Sequence, residues 1–254
     1  MYRMLSYISL LILFVFTLTG CAGNQQQAAT KKKKTEALQR LGVSLVQQGS
    51  VRAGLEKLLE AVKLDPTNSA IHQELALAYR DLEEFQLSLD HFKKALELRP
   101  DFPQAWNNMG TVYLLLGQWD LAVNCFQMAV GDILYRTPHF AYNNMGLAYI
   151  KNEQYQKAIA SFHKALKAAP SYSPARTNMG IALERMNRWE EAIDAYKNAI
   201  SVDPEYPASH FHLGRLYKRL NRNTEAAEEL HQTIKLDPRG QLAQEAKKLL
   251  DSMK

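Results

Sequence analysis

Apolar, aromatic and small residues recur along most of the chain at offsets that repeat every 34 residues. Prolines mark this period, and they stand at Pro66, Pro100, Pro170, Pro204 and Pro238. Reading back from each proline finds the same residue types at the same offsets. In the third repeat these residues are Trp106, Met109, Gly110, Tyr113, Ala122, Phe126 and Ala129. Self-similarity at a fixed period indicates a solenoid built from one repeated supersecondary unit.

Each offset has a physical cause. Small residues at the eighth and twentieth positions allow two helices of one repeat to approach closely, and large residues at the fourth, eleventh and twenty-fourth positions fill the space between them. The proline ends the second helix, because it lacks an amide donor and restricts the residue before it. One such unit cannot bury its apolar face alone, so neighbouring units must stack. The pattern predicts an all-α protein with six helix-turn-helix repeats over residues 35–240 and a capping helix over residues 241–254.

The repeat closely resembles the tetratricopeptide repeat (TPR). The resemblance implies a right-handed superhelix of antiparallel helix pairs, in which the first helix of each pair lines a concave groove. The first and sixth repeats match less well, because Gly54 replaces an alanine in the first and Leu230 and Thr233 replace an aromatic residue and an alanine in the sixth. Atypical terminal repeats are expected of a solenoid.

The groove is the expected partner-binding surface. Positions nine and twelve of the TPR first helix point into it, and most of these positions are apolar in repeats one to five. With one aromatic residue near the start of repeat four, the predicted partner-binding residues are Val43, Val46, Leu77, Leu114, Phe140, Leu147, Ile150 and Ile181. A contiguous apolar strip of this kind usually marks a partner site and suits an amphipathic helix or an extended apolar peptide. The alternative is a superhelix closed so far that these residues touch one another.

The sixth repeat has basic residues at the equivalent positions. Arg215 and Lys218 stand there, with Arg219 and Arg222 beside them. This end either receives an acidic segment or an anionic polymer such as peptidoglycan, or is simply solvated. The clamp that chaperone-binding TPRs use for a terminal carboxylate is absent from its expected offsets. The asparagines at the sixth position of three repeats, Asn108, Asn144 and Asn178, are expected to be structural.

The N-terminal segment has the order of a secretory signal peptide, which predicts its removal as residues 1–20. Arg3 precedes an unbroken apolar stretch over residues 10–16, and small residues follow. A membrane-spanning helix would need about 20 apolar residues, whereas the apolar core here is only about 14 residues long.

The end of this segment, Leu18-Thr19-Gly20-Cys21, resembles the lipobox of bacterial lipoproteins. The resemblance implies cleavage before Cys21 and attachment of fatty acyl chains, such as palmitate, to that residue. More than one acyl chain gives stable membrane anchoring. Because Ala22 rather than an aspartate follows, the resemblance further implies an outer-membrane protein that faces the periplasm. Residues 21–34, which end in four lysines, are predicted to be a flexible tether.

Composition excludes several function classes. The formal net charge of +5 is small and scattered, so no nucleic-acid partner is expected. If Cys21 carries lipid, Cys125 has no disulfide partner in the chain, and we expect it to be a small buried residue. No metal-binding, nucleophile or phosphate-loop motif is present, so we expect no enzyme activity, no metal and no cofactor. A monomer is expected.

One irregularity interrupts the period. The third and fourth repeats are 36 residues apart, and residues 131–138 read Gly-Asp-Ile-Leu-Tyr-Arg-Thr-Pro before Ala-Tyr-Asn-Asn-Met-Gly at residues 141–146. This run resembles the pilotins of type IV pilus systems, which are TPR lipoproteins of the outer membrane. The resemblance implies that the partner is the secretin, whose multimers a pilotin helps to localise and assemble. A harmless loop extension would instead leave a general envelope adaptor, for example one that recruits peptidoglycan-processing enzymes.

Overall fold

The computed structural model describes residues 26–253, and within this range all regular secondary structure is α-helical. A first helix, α1, covers residues 26–47. Twelve further helices follow: α2 Val51–Leu64, α3 Ser69–Asp81, α4 Phe85–Leu98, α5 Pro103–Leu115, α6 Trp119–Gly131, α7 Pro138–Lys151, α8 Tyr155–Ala168, α9 Ser173–Arg185, α10 Trp189–Val202, α11 Pro207–Arg219, α12 Asn223–Leu236 and α13 Gln241–Asp251. The predicted all-α fold, with six helical hairpins and a capping helix, is confirmed.

The helices form two compact units that divide between Pro100 and Asp101. The described part of the first unit contains α1 to α4, and the second unit contains α5 to α13. In the second unit α13 packs on both α11 and α12 and covers a cluster formed by Phe211, Leu230 and Ala246. This helix therefore caps the apolar end of the last hairpin, as a terminal element of a solenoid must.

Each hairpin turns in the same way. One residue per turn has a positive φ angle, and these residues are Gly49, Glu83, Gly117, Glu153, Asn187 and Asn221. In each turn the amide after this residue donates to a carbonyl five residues earlier; Gln118 N, for example, donates to Tyr113 O at 2.9 Å. This is the Schellman arrangement, which satisfies the free carbonyls at a helix end. The turns are thus closed by their own backbone and need no partner.

Close contact within a hairpin depends on a glycine that faces a large ring. A methyl group placed on Gly110, Gly146 or Gly180 would lie 2.4 to 2.6 Å from a ring carbon of the residue sixteen positions further on. Those ring residues are Phe126, Phe162 and Tyr196, and each is fully buried. The missing side chain on the first helix therefore makes room for the aromatic side chain of the second.

The structure corrects the predicted tether. Residues 26–34 were expected to be flexible, but they belong to α1. This stretch consists of glutamine, alanine, threonine and lysine without glycine or proline, and several of these residues favour helix. The helix is also held at Thr35, which is buried and whose Oγ1 donates to Lys31 O at 3.0 Å. Residues 1–25, which include the predicted signal peptide and Cys21, lie outside the described residues.

Replacing Gly146 with alanine should destabilise the second unit. The new methyl group would overlap the Phe162 ring, and such overpacking costs about 1–3 kcal/mol. The measurement is the free energy of unfolding from urea denaturation followed by circular dichroism. Gly131→Ala is the matched control, since a methyl group there meets no atom within 4 Å and alanine favours the helix. Equal stability of the two variants would contradict the packing argument.

Candidate functional site

The first helices of the second unit lie side by side. Contacts join α5 to α7, α7 to α9 and α9 to α11, whereas among the described helices no such contact joins successive second helices α6, α8, α10 and α12. The stack is therefore closer on the side of the first helices, which makes that side the inner one. We call the surface formed by α5, α7, α9 and α11 the first-helix surface.

Asparagines hold neighbouring first helices in register. Asn144 Nδ2 donates to Asn107 Oδ1 at 3.3 Å, and Asn178 Nδ2 donates to Asn143 Oδ1 at 2.9 Å. Side-chain amides that pair inside a packed interface fix one relative position of the two helices. The structural role expected for Asn144 and Asn178 is therefore confirmed.

Five of the predicted partner-binding residues lie on the first-helix surface of the second unit. Leu114, Ile150 and Ile181 are half-buried and pack partly against the core clusters beneath them. Leu147 is also half-buried. Phe140 is exposed, and its ring is perpendicular to that of Tyr172, with 5.5 Å between the ring centroids. The surface is apolar and partly accessible, and part of each packed side chain already contributes to the fold.

The other three predicted residues belong to the first unit. Leu77 is half-buried on α3. Val43 and Val46 pack against the core cluster around Leu58. Val46 Cγ2 would lie 2.6 Å from a methyl group on Gly54, so this side chain is directed at α2. The glycine that replaces the usual alanine in the first repeat therefore leaves room for Val46, which remains half-buried.

Two exposed apolar residues were not among the predicted partner-binding residues. Ile133 is 97 % exposed and Leu134 is 80 % exposed, in the turn that the two-residue insertion lengthens. The turn is ordered by Asp132, whose Oδ1 accepts from Leu134 N at 2.8 Å. Tyr135 is buried and anchors the other side of the turn. The available signal was a pair of adjacent aliphatic residues that stand outside the repeat pattern.

The fifth repeat has a glutamate, Glu184, at position twelve of its first helix, and this residue is buried. Glu184 is only 7 % exposed and accepts hydrogen bonds from Tyr196 Oη at 2.6 Å and from Arg215 Nη2 at 3.1 Å. Burial, with the Glu184 charge as a further cause, raises the pKa of Tyr196 well above its usual range, so this hydroxyl remains a donor. A buried carboxylate needs such partners to offset its lost hydration.

Histidines in the sixth repeat have opposite environments. His210 Nδ1 donates to Glu229 Oε2 at 2.6 Å, and this hydrogen bond raises the pKa of His210. Burial, followed by the Arg215 charge, lowers the pKa of His212 to about 3. Neither imidazole is placed against a nucleophile in the described residues. Within residues 26–253 no cluster of metal-binding side chains occurs and no helix is long and apolar enough to cross a membrane.

The remaining cysteine is buried as expected. Cys125 is 5 % exposed on α6, and burial raises the pKa of its thiol to about 12. A thiol that stays protonated is a poor nucleophile. Cys125 therefore serves packing.

Comparison with known families identifies the repeat. The family described as "TPR repeat" matches residues 77–117 and 185–221, and families described as "Tetratricopeptide repeat" match residues 139–172 and 207–239. Together these segments make up about half of the chain and cover all or part of five of the six hairpins, the second to the sixth.

Curated relatives match parts of the chain. Photosystem I assembly protein Ycf3 from Synechococcus elongatus is 37 % identical over 91 residues, which are 35 % of this chain and 53 % of that protein. Type IV pilus assembly protein PilF from Pseudomonas aeruginosa is 27 % identical over 132 residues, which are 50 % of this chain and 52 % of that protein. The chain thus spans about half the length of these two relatives.

Solved structures share the fold over a larger part. The Pseudomonas aeruginosa PilF structure aligns with a TM-score of 0.71 at 22 % identity and covers 86 % of this chain and 98 % of that chain. PilW, whose structure is described as that of a widely conserved type IV pilus biogenesis factor, gives 0.74 at 22 % identity, with 83 % and 96 % covered. A chain of the Cut9–Hcn1 assembly gives 0.70 at 17 % identity, with 87 % and 43 % covered. These similarities establish the fold alone.

The environment of His212 predicts a pH-dependent stability. The folded protein keeps this imidazole neutral down to about pH 3, whereas the unfolded chain binds a proton below its ordinary value of 6.5. The free energy of unfolding should therefore fall as the pH is lowered from about 6.5, by at most about 1.4 kcal/mol per pH unit from this group.

The test compares the wild type with His212→Asn, which places the residue of repeats three to five at this position. Urea denaturation at pH 7 and pH 4.5 should show that the wild type loses about 2 kcal/mol more than the variant over this range. If both proteins lose the same stability, His212 does not carry the pH dependence.

Proposed function

This chain belongs to the tetratricopeptide-repeat proteins, and on that premise we propose that it is a lipid-anchored pilotin. It binds the secretin of a type IV pilus system and promotes the localisation and multimer assembly of that secretin in the outer membrane. The acyl chains on Cys21 hold it at the membrane, and the repeats bind the partner without chemistry.

Protein binding is supported by the apolar surfaces of the second unit. Large hydrophobic side chains are exposed at Leu115 and Phe140 on the first-helix surface, and at Ile133 and Leu134 in the inserted turn. Exposed apolar groups on an otherwise well-packed repeat protein favour contact with another protein. The accessible apolar first-helix surface is the observation that carries the proposal.

The choice of partner is supported by the relatives and by the N-terminus. PilF from Pseudomonas aeruginosa, named as a type IV pilus assembly protein, aligns with half of the chain. The segment Leu18-Thr19-Gly20-Cys21 matches the lipobox pattern. The lipobox supports work at a membrane, which a pilotin and an envelope adaptor share, so the choice of the secretin rests on the similarity to PilF.

Deletion of the gene should abolish secretin multimers. Heat-resistant multimers are measured by immunoblotting of outer-membrane fractions, and surface pili are counted in parallel. The wild-type gene should restore both, whereas Cys21→Ala should give a stable protein that leaves the membrane fraction and restores few multimers. Loss of the acyl anchor removes about 0.8 kcal/mol of membrane binding for each buried methylene group.

Normal secretin multimers in the deletion strain would refute the pilotin function. If the deletion instead changes cell shape, and the tagged protein co-purifies with peptidoglycan-processing enzymes, the general adaptor becomes the better description. Multimer assembly by a Cys21→Ala protein at the wild-type level would separate binding from anchoring and refute the role of the lipid.

Leu147→Asp should weaken binding of the secretin by at least about tenfold. A carboxylate on the first-helix surface would be buried without a partner against an apolar segment, at a cost of a few kcal/mol. Binding is measured by pull-down and by calorimetry with the purified secretin, and circular dichroism checks the helices.

Val202→Asp is the matched control, since it adds the same charge at an exposed apolar residue of the second helix α10. The double variant Ile133→Asp/Leu134→Asp tests the inserted turn separately, at side chains too exposed to stabilise the fold. Unchanged affinity of Leu147→Asp, with a normal helical spectrum, would exclude the first-helix surface.

A further inference from the structure

A basic cleft lies at the end of the first-helix surface, between α9 and α11. Its volume is about 280 Å³. Three guanidinium groups and one carboxylate line it together with one aliphatic side chain; the lining residues are Ile181, Glu184, Arg185, Arg215 and Arg219. The cleft thus has a net positive charge, although the chain as a whole is only weakly basic.

Arg215 is held in place by a buried acid. Its Nη2 donates to Glu184 Oε2 at 3.1 Å, and Glu184 is fixed in turn by the Tyr196 hydroxyl. The guanidinium carries five N–H donors, and this bond uses one of them. The Arg215 side chain is 41 % exposed, so other donors remain open to the cleft. Glu184 therefore orients the arginine without exhausting its capacity to bind an anion.

Arg219 is held by an aromatic ring. Its Cζ atom lies 4.4 Å from the centroid of the Trp189 ring, which is a stacking distance for a guanidinium. Arg185 is exposed at the end of α9, and its side chain has no hydrogen bond or ion pair within residues 26–253. Two ordered guanidinium groups and one free one thus surround the same cleft.

Lys218 does not belong to this group. Its Nζ donates to Leu249 O at 3.4 Å and to Ser252 Oγ, so it ties α11 to the end of the capping helix. Arg222 is likewise paired, with Glu225 of the next helix. The structure therefore divides the basic residues of the sixth repeat into structural cations and cations that face the cleft.

We propose that this cleft binds the carboxylates of an acidic stretch in the protein partner, adjacent to the apolar segment that the first-helix surface receives. This inference rests on the proposed function and adds the chemistry of the partner. Guanidinium groups match carboxylates in geometry and form charge-assisted hydrogen bonds. Because the Arg215 and Arg219 side chains are already ordered, less entropy is lost on binding.

A peptide is favoured over an anionic polymer by the surroundings of the cleft. Ile181 forms one wall and also belongs to the apolar first-helix surface, so the two surfaces are continuous. Glu184 would repel a ligand with dense negative charge, but it tolerates one or two carboxylates on the opposite side. A segment with apolar residues followed by acidic residues satisfies both parts at once.

The test uses a fluorescein-labelled synthetic peptide with a leucine-rich half followed by a polar half that contains two glutamates. Its partner probe has glutamine in place of every glutamate. Fluorescence anisotropy with the full mature protein should show at least tenfold tighter binding of the acidic probe, and the difference should shrink as salt is raised.

Arg185→Gln should reduce the preference for the acidic probe. The double variant Arg185→Gln/Arg219→Gln should lower the affinity for that probe by about tenfold or more and so abolish the preference. Arg136→Gln/Arg239→Gln is the matched control, because it removes the same charge from exposed arginines outside the cleft. The Arg185 side chain is exposed and has no side-chain hydrogen bond or ion pair within residues 26–253, so its single variant should have little effect on folding.

The outcomes separate this inference from the proposed function. Equal binding of both probes, or equal affinity of the cleft and control variants, would overturn the acidic-segment proposal even if the secretin binds. Loss of the acidic preference in the cleft variants would support it even if the secretin proves not to be the partner. Retention of soluble peptidoglycan fragments, with no binding of the acidic probe, would also overturn it.

Discussion

The close approach of two helices at a glycine is the constraint on which the rest of the structure depends. At Gly110, Gly146 and Gly180 the missing side chain is replaced by a ring from the second helix of the same hairpin. A hairpin packed in this way has its large residues on the inside of the pair and still leaves apolar faces uncovered, so it must stack on its neighbours. The stack then brings first helices together on one side. The surface available to a partner is a consequence of that packing.

Departures from the repeat pattern carry most of what is specific to this protein. Where the repeat is regular, polar side chains of neighbouring first helices form hydrogen bonds with each other. Asn144 and Asn178 each donate in this way to an asparagine of the preceding first helix. At Glu184 a carboxylate replaces an apolar residue, and its burial organises Tyr196 and Arg215. In the inserted turn Asp132 accepts a hydrogen bond from the Leu134 amide, and the side chains of Ile133 and Leu134 are exposed to solvent. A solenoid tolerates these changes because each repeat contacts only its neighbours.

The fold could be predicted from the sequence, whereas the candidate site could be predicted only in part. Periodic prolines and glycines identify the hairpins because each of these residues has a backbone or packing cause at its position. The helix over residues 26–34 was missed, because a short stretch without large apolar residues gives no periodic signal. Position alone also does not reveal that Val46 packs against α2, where Gly54 leaves room for it. Burial of Glu184 depends on Tyr196 and on Arg215, which lies 31 residues away in sequence, so no local pattern reveals it.

The self-closed turns have a consequence for how the molecule opens. Since every hairpin closes with its own backbone bonds, each is a natural cooperative subunit for local unfolding and amide exchange. The subunits are unequal, because the left-handed position is occupied by glycine in two turns, asparagine in two and glutamate in Glu83 and Glu153. A non-glycine residue other than asparagine or aspartate pays a larger conformational penalty there. The hairpins therefore differ in how readily they open locally, and the strained turns of the second and fourth hairpins favour opening there first.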